Sequence, residues 1–547
     1  MGGRLEMVSS KNRRSQQALK GASLLTLAGI IAKILSAVYR VPFQNLVGDT
    51  GFYVYQQVYP IYGIGMTFAL SGLPNYVGKQ ISWQVDLAHR RLFLRRYSLL
   101  VVIFSLLCFS LTFFLAPLLA QGMADPNLAI VIRSVSYMFL AMPFLLLIRG
   151  AFQGRNDMKH TAISQVIEQV VRVGVILGVA TLYSQGFSQD WSLYEMGAWA
   201  MASAGIAGFT ATSYLLLALF QSRGTQRLFQ ESKRSRALAE DPPYHLTWPQ
   251  ILRTFVTDGL VICSFSALLV FFQLIDSFTL YDGLLDFGLD SDLAKVYKGV
   301  YDRGQPFVQL GMVFSLAFQT SYLPLLSQAF VKKQKAQFRE AAVRFSRLTF
   351  FISLLVTAGI MAILPELNVM LFSDAKGSGV LEQYLLMIVL ASWVLIYHNI
   401  FLGQNQWFYS ALALGLALLV KGVFAHLLVS RFGLVGGVWS SLLALIVMLI
   451  LMHHFIPHSI KTESQMGILL RDTSLVVLLM WLAIMALRWI FWLNFPKSRA
   501  FATLFVGLAV LLGAGVVLLV VRRYPILNPA EWQELPLAKY WIKNKES

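Results

Sequence analysis

The chain has 547 residues, of which 57% are hydrophobic, 13% aromatic and only 13% charged. A soluble domain carries roughly a quarter charged residues, so this composition excludes an ordinary soluble protein and points to one embedded in a membrane. The formal net charge of +18 would suggest nucleic acid in a soluble chain, but here the basic residues cluster beside apolar runs, as membrane topology requires, and no nucleic-acid partner is expected.

The first twenty residues, "MGGRLEMVSSKNRRSQQALK", are basic and polar. The apolar run after them has no small-residue cleavage pattern, so no cleavable signal peptide is expected. A membrane span needs about 20 apolar residues. That rule gives about fourteen spans, beginning near Gly21, Gly51, Tyr97, Asn127, Thr161, Trp191, Ile251, Val300, Leu348, Val380, Trp407, Leu434, Arg471 and Arg499. The fold class is therefore an all-α integral membrane protein. Cys108 and Cys263 lie far apart, each inside an apolar run. They read as buried thiols, with neither a disulfide framework nor a metal spacing.

The loops set orientation. Lys11, Arg13, Arg14 and Lys20 precede the first span, and "HRRLFLRRY", "GRNDMKH", "SRGTQRLFQESKRSR" and "VKKQKAQFREAAVRFSR" follow spans two, four, six and eight. The alternate connections, "GMADPN", "SQGFSQDW" and "DSFTLYDGLLDFGLDSD", are neutral or acidic. Positive residues favour the cytoplasm, so both termini are expected inside and the even count agrees.

The chain also repeats itself. Tyr55, Pro60, Gly65, Met66, Phe68, Leu70 and Tyr76 recur as Tyr301, Pro306, Gly311, Met312, Phe314, Leu316 and Tyr322, about 246 positions on. Phe152, Gly154, Asn156, Ala162 and Arg172 recur as Phe401, Gly403, Asn405, Ala411 and Lys421, about 249 positions on. An offset of six spans predicts two six-helix lobes in parallel orientation, with a substrate site between them. The expected organisation is a basic cytoplasmic tail over 1–20, an N-lobe over 21–222 and a basic linker over 223–250. A C-lobe over 251–456, two surplus helices over 457–522 and a cytoplasmic tail over 523–547 complete it. The surplus pair is a candidate groove for a lipid tail.

Ionisable residues inside spans are rare and tend to face a cavity. Lys33 and Arg40 lie seven apart in the first span, on one helical face. Glu168 and Arg172 are four apart in the fifth, spaced to pair with each other. Asp258 lies in the seventh span, and Asp302 and Arg303 open the eighth. Arg133, Arg149 and Lys421 read as snorkelling to an interface. "YVYQQVYPIYG", with Gln57, offers hydroxyls and amides beside Pro60, and its second-half counterpart is "YDRGQPFVQLG". Both segments are expected to be proline-broken helices lining a cavity. Excess positive charge there suits a phosphate-bearing substrate, because arginine pairs bidentately with phosphate oxygens. The candidate substrate-binding residues are Lys33, Arg40, Gln57, Glu168, Arg172, Asp302 and Arg303. No Gly-x-x-x-x-Gly-Lys loop, Ser-His-Asp set or HExxH occurs, and neither a cofactor nor a metal is expected. His453, His454 and His458 read as interfacial, and "DGLLDFGLDSD" as a solvated outer loop. No outer connection exceeds about two dozen residues, too short for a catalytic domain, so a transporter is expected rather than an enzyme.

"KGASLLTLAGIIAKILSAVYRVPFQNLVGDTGFYVYQQVYPIYGIGMTFALSGLPNYVGKQIS", "RGAFQGRNDMKHTAISQVIEQVVRVG" and "KGVYDRGQPFVQLG" closely resemble the Gram-positive SpoVB/YtgP branch of the MurJ-type lipid II flippases, in the MOP superfamily of polysaccharide and drug exporters. The resemblance extends over nearly the whole chain. It implies fourteen helices, two lobes around a central cationic cavity, and a final helix pair that grooves the undecaprenyl tail. It further implies that lipid II, a peptidoglycan precursor, moves from the inner to the outer leaflet of the cell membrane by alternating access, with Lys33, Arg40 and Arg303 serving the pyrophosphate. Three departures stand out. Lys33 replaces an arginine of the Gram-negative branch, Gln56 and Gln57 occupy the helix-two region without an arginine, and "FLGQNQWFYSAL" lacks the Lys and Pro often found after the family's glycine. The rival readings are a flippase for capsule or exopolysaccharide units and a multidrug antiporter, the latter expected to carry an acidic cavity. A monomer is expected, with the cell-wall synthesis machinery as a partner.

Overall fold

The computed structural model describes residues 24–25, 27–32, 34–83, 87–187, 190–229, 248–457, 463–524, 526–528 and 531–532. Lys33, the tail over 1–20, His458, most of the linker and most of the C-terminal tail lie outside the described residues. Among the described residues there is no strand, and thirteen helices are long and apolar enough to cross a membrane. The protein is a multi-pass membrane protein.

Thirteen stand where about fourteen were expected because the first two spans run together over Leu27–Thr67. Gly48 interrupts that run with φ 72° and ψ −179°. Glycine reaches this conformation readily because it has no Cβ to clash. Pro60 does not break its helix, which runs on from the Gly48 kink to Thr67, contrary to expectation. The second-half counterpart does break, at Arg303, between helices Ser291–Asp302 and Gly304–Gly311. Pro306 then sits in the first turn of the new helix, where its missing N–H and its clash with the residue four back cost little. The seventh span also differs from expectation. Short segments over Trp248–Ser266 lead into helix Leu268–Asp286, and only 287–290 separate it from helix Ser291–Asp302. The acidic stretch read as a solvated loop is therefore largely helical.

The described residues divide into two compact units, those up to Asp302 with Ala425–Gly433, and those over Arg303–Phe424 with those from Leu434 onward. Local devices recur in both. Asn156 and Asn405 adopt left-handed φ values of 61° and 58° after their helices. Asp157 N–H donates to Phe152 O at 3.0 Å, and Gln406 N–H to Phe401 O at 2.8 Å, so the same cap closes both helices. Breaks recur too, at Tyr137 between Ala129–Ser136 and Met138–Gly154, and at Leu385 between Ser378–Tyr384 and Leu386–Gly403.

In the first unit, helix Ser291–Asp302 packs closely on helix Arg40–Thr67. A Cβ at Gly299 would run into the Asp49 carbonyl oxygen, which is backbone and cannot rotate away. Gly299→Ala is expected to destabilise the protein by about 1–3 kcal/mol, read by thermal unfolding in detergent. In the second unit, helices Glu463–Asn494 and Arg499–Arg523 pack on helix Lys335–Phe372 through Ala362, Ile363, Met480, Ile484 and Phe505. Arg488 donates to Glu366 at 2.6 Å and to Ala362 O at 2.7 Å, adding a polar anchor to that apolar seam.

Candidate functional site: buried guanidinium groups on a tyrosine frame

The first unit gathers its aromatic-rich stretch against the fifth span. Tyr55, Tyr59 and Tyr62 recur at helical spacing, so they share one face of helix Arg40–Thr67. Helix Met158–Ser184 brings Arg172 to that face. Its Nη2 donates to the Tyr39 hydroxyl at 3.0 Å and to the Tyr55 hydroxyl at 2.7 Å. Its guanidinium lies 3.8 Å from the centre of the Tyr62 ring, within cation–π range. The Arg40 guanidinium is likewise 4.3 Å from the centre of the Tyr59 ring. Both arginines are buried. Among the described residues no carboxylate pairs with Arg172, and its Nη1 makes no hydrogen bond.

Glu168 does not pair with Arg172, although their spacing allows it. It accepts from Arg149 Nη2 at 2.7 Å, while Arg149 Nε donates to Ser164 Oγ at 2.9 Å. Arg149 was read as snorkelling to an interface, yet it is fully buried. Its helix, Met138–Gly154, is packed on several others, and Arg149 takes an acid from the neighbouring helix. Lys421, given the same reading, is also fully buried, donating to Ser441 Oγ at 2.7 Å and Ser440 Oγ at 3.3 Å. The repeat pairs Lys421 with Arg172, so each unit holds a buried cation on two hydroxyls at the equivalent place.

Gln57 is buried and donates to the Ser277 carbonyl at 2.6 Å. Asp302 is held by Lys298 Nζ at 2.8 and 2.7 Å, one turn earlier on the same helix. Asp276 and Arg40 also act on its charge. Sequence reasoning passed over Lys298, although the four-residue spacing to Asp302 signals it. Asp276, read as part of an acidic connection between spans, is buried and accepts from the Tyr301 hydroxyl at 3.3 Å. Asp125, also buried, accepts from Tyr53 at 3.1 Å and Tyr194 at 2.7 Å.

The first unit thus buries Arg40, Arg149, Arg172 and Lys298 together with Asp125, Glu168, Asp276 and Asp302. Among the described residues these cations and carboxylates balance, so the expected excess of positive charge does not show in that total. Arg149 and Lys298 take carboxylates, Asp125 and Asp276 take tyrosine hydroxyls, and among the described residues Arg172 rests on rings and hydroxyls. Neutral hydroxyls and ring faces compensate a guanidinium less than a carboxylate does, which leaves Arg172 the less fully compensated of these cations.

Arg303, in the second unit, is fully buried. Its Nη1 donates to Asp374 Oδ1 at 2.6 Å and its Nη2 to Asp374 Oδ2 at 3.1 Å. Burial alone would raise the Asp374 carboxyl, but the Arg303 hydrogen bonds and the Lys376 N–H outweigh it and hold the group below the usual carboxylate range. Asp374 lies in a short polar connection, which gave sequence reasoning no signal.

The polysaccharide biosynthesis protein family matches residues 18–330, more than half of the chain. The chain belongs to that family. The relative described as an uncharacterized membrane protein, YabM of Bacillus subtilis (strain 168), is 37% identical over 418 residues, 76% of each chain. The lipid II flippase MurJ of the same organism is 23% identical over 551 residues, spanning 95% of this chain and 98% of its own. A solved structure of the lipid II flippase MurJ in an inward closed conformation shares the fold, with a TM-score of 0.61 and 12% identity over 91% of this chain and 97% of that one.

Proposed function

We propose that the protein is a flippase that moves a polyprenyl-pyrophosphate-linked peptidoglycan precursor, lipid II, from the inner to the outer leaflet of the cell membrane by alternating access. The observation that carries this reading is the buried guanidinium of Arg172, which shares the Tyr59 ring with Arg40 and among the described residues has no carboxylate partner of its own. Such a group is costly to bury unless an anion joins it during the working cycle. Likeness to a lipid II flippase over nearly the full length supports the same substrate class.

In this reading Lys33, Arg40, Arg172 and Arg303 serve the pyrophosphate, and Gln57, Glu168 and Asp302 fix the frame around them. The final helix pair, packed on helix Lys335–Phe372, offers its apolar outer surface to the polyprenyl tail. Both termini lie in the cytoplasm, as the basic loops require. A negative-inside potential then favours outward movement of an anion by about 2.3 kcal/mol per charge per 100 mV. The family match to polysaccharide biosynthesis proteins favours a second reading, in which the cargo is another polyprenyl-linked oligosaccharide.

The test is to deplete the protein in its host and score lipid II accessible on the outer leaflet, then restore wild type, Arg40→Ala or Arg303→Ala at equal expression. Depletion is expected to trap lipid II inside, and only wild type to release it. Export that persists in a strain lacking other flippases assigns the cargo to another polyprenyl-linked glycan.

A further inference from the structure

Within the second unit, the Arg303–Asp374 pair has a geometry that bears on how a headgroup is held and released. The two parallel N–H···O bonds, at 2.6 and 3.1 Å, use the guanidinium fork just as a phosphate would. Both partners are fixed in place. The Phe372 ring centre lies 4.9 Å from the Arg303 guanidinium carbon. The Tyr384 ring occupies the space where a Cβ on Gly304 would fall. On the acid's side, the Lys376 N–H donates to Asp374 Oδ1 at 2.9 Å. The buried Asn368 amide donates to Lys376 O at 2.8 Å and to Ser378 Oγ at 3.2 Å. Ser373 and Gly377 bracket the loop with left-handed φ values of 69°. A loop held this way presents its carboxylate by construction. The Asp374 side chain keeps 31% exposure while Arg303 keeps none, so an incoming anion meets the carboxylate first.

We propose that Asp374 is the internal competitor for the anionic headgroup at Arg303, displaced when a pyrophosphate binds and returning to discharge it. This rests on the headgroup reading above and adds the residue that limits affinity at Arg303. Without such a competitor a doubly charged group would bind Arg303 more tightly and leave it more slowly. A tethered carboxylate competes at high effective concentration without any second ligand. Since the carboxylate is partly exposed, its competition is modest, enough to weaken binding without preventing it.

The test titrates inorganic pyrophosphate into the purified full chain in detergent. Asp374→Asn, which keeps shape and removes charge, is expected to bind it about three- to tenfold more tightly than wild type. Asp374→Glu should stay near wild type, and it serves as the second variant should the asparagine form fold poorly. The gain should vanish in Asp374→Asn/Arg303→Ala. A gain that survives the loss of Arg303 overturns the proposal. Binding that depends on Arg303 but is unchanged by Asp374→Asn overturns the competitor role while leaving the headgroup reading intact. No binding by wild type or Asp374→Asn overturns both.

Discussion

Arg149→Leu is expected to cost about 3–5 kcal/mol of stability, because it leaves Glu168 buried without its counter-charge. Arg149 reaches Glu168 at 2.7 Å, Ser164 at 2.9 Å and the Ala69 carbonyl at 3.5 Å, so one guanidinium joins three segments of the first unit. Glu168→Gln should cost less, since an amide still accepts from the arginine. Arg149→Leu/Glu168→Leu should recover much of the single-variant loss, because burying two apolar side chains avoids desolvating two charges. Thermal unfolding of the detergent-solubilised variants reads all three. A single variant no less stable than the double would show that Glu168 finds another partner and that the pair does not hold the helices.

Apolar run length made the membrane fold legible, because a span has a length threshold that sequence displays directly. What it could not show was where a run turns. Gly48 divides the first two spans at a single residue, and Pro60, a helix breaker by reputation, lies within an unbroken helix. The candidate site was legible where an ionisable residue stood inside an apolar run, as Arg40, Arg172 and Arg303 do. Partner choice was not. Spacing gave Glu168 to Arg172, but the acid goes to Arg149 on the preceding helix. Asp374 lies 71 residues from Arg303 in a polar connection, and no local pattern links them. The buried acids were misjudged for a related reason. Asp276 read as part of a connection because its stretch is acidic, yet it lies in helix Leu268–Asp286, buried against Tyr301.

The second large effect concerns the tyrosine frame. Arg172→Lys keeps the positive charge, and if charge alone recruited the headgroup, export should survive. The geometry argues otherwise. One guanidinium nitrogen serves Tyr39 and Tyr55 at once, and the planar group lies over Tyr62. A lysine ammonium is a point donor on a flexible stem and cannot hold that arrangement while offering a planar fork to a phosphate. Hydrogen bonds to a charged group contribute about 1.5–3 kcal/mol each. Losing one such bond in the working cycle corresponds to about a tenfold to hundredfold fall in rate. Arg172→Lys is therefore expected to reduce outer-leaflet lipid II by at least about tenfold at equal expression. Tyr39→Phe, which leaves the Tyr55 hydroxyl in place, should fall between wild type and Arg172→Lys. Near-wild-type export by Arg172→Lys would assign the site to charge alone, and the tyrosines would then be packing rather than part of the recognition surface.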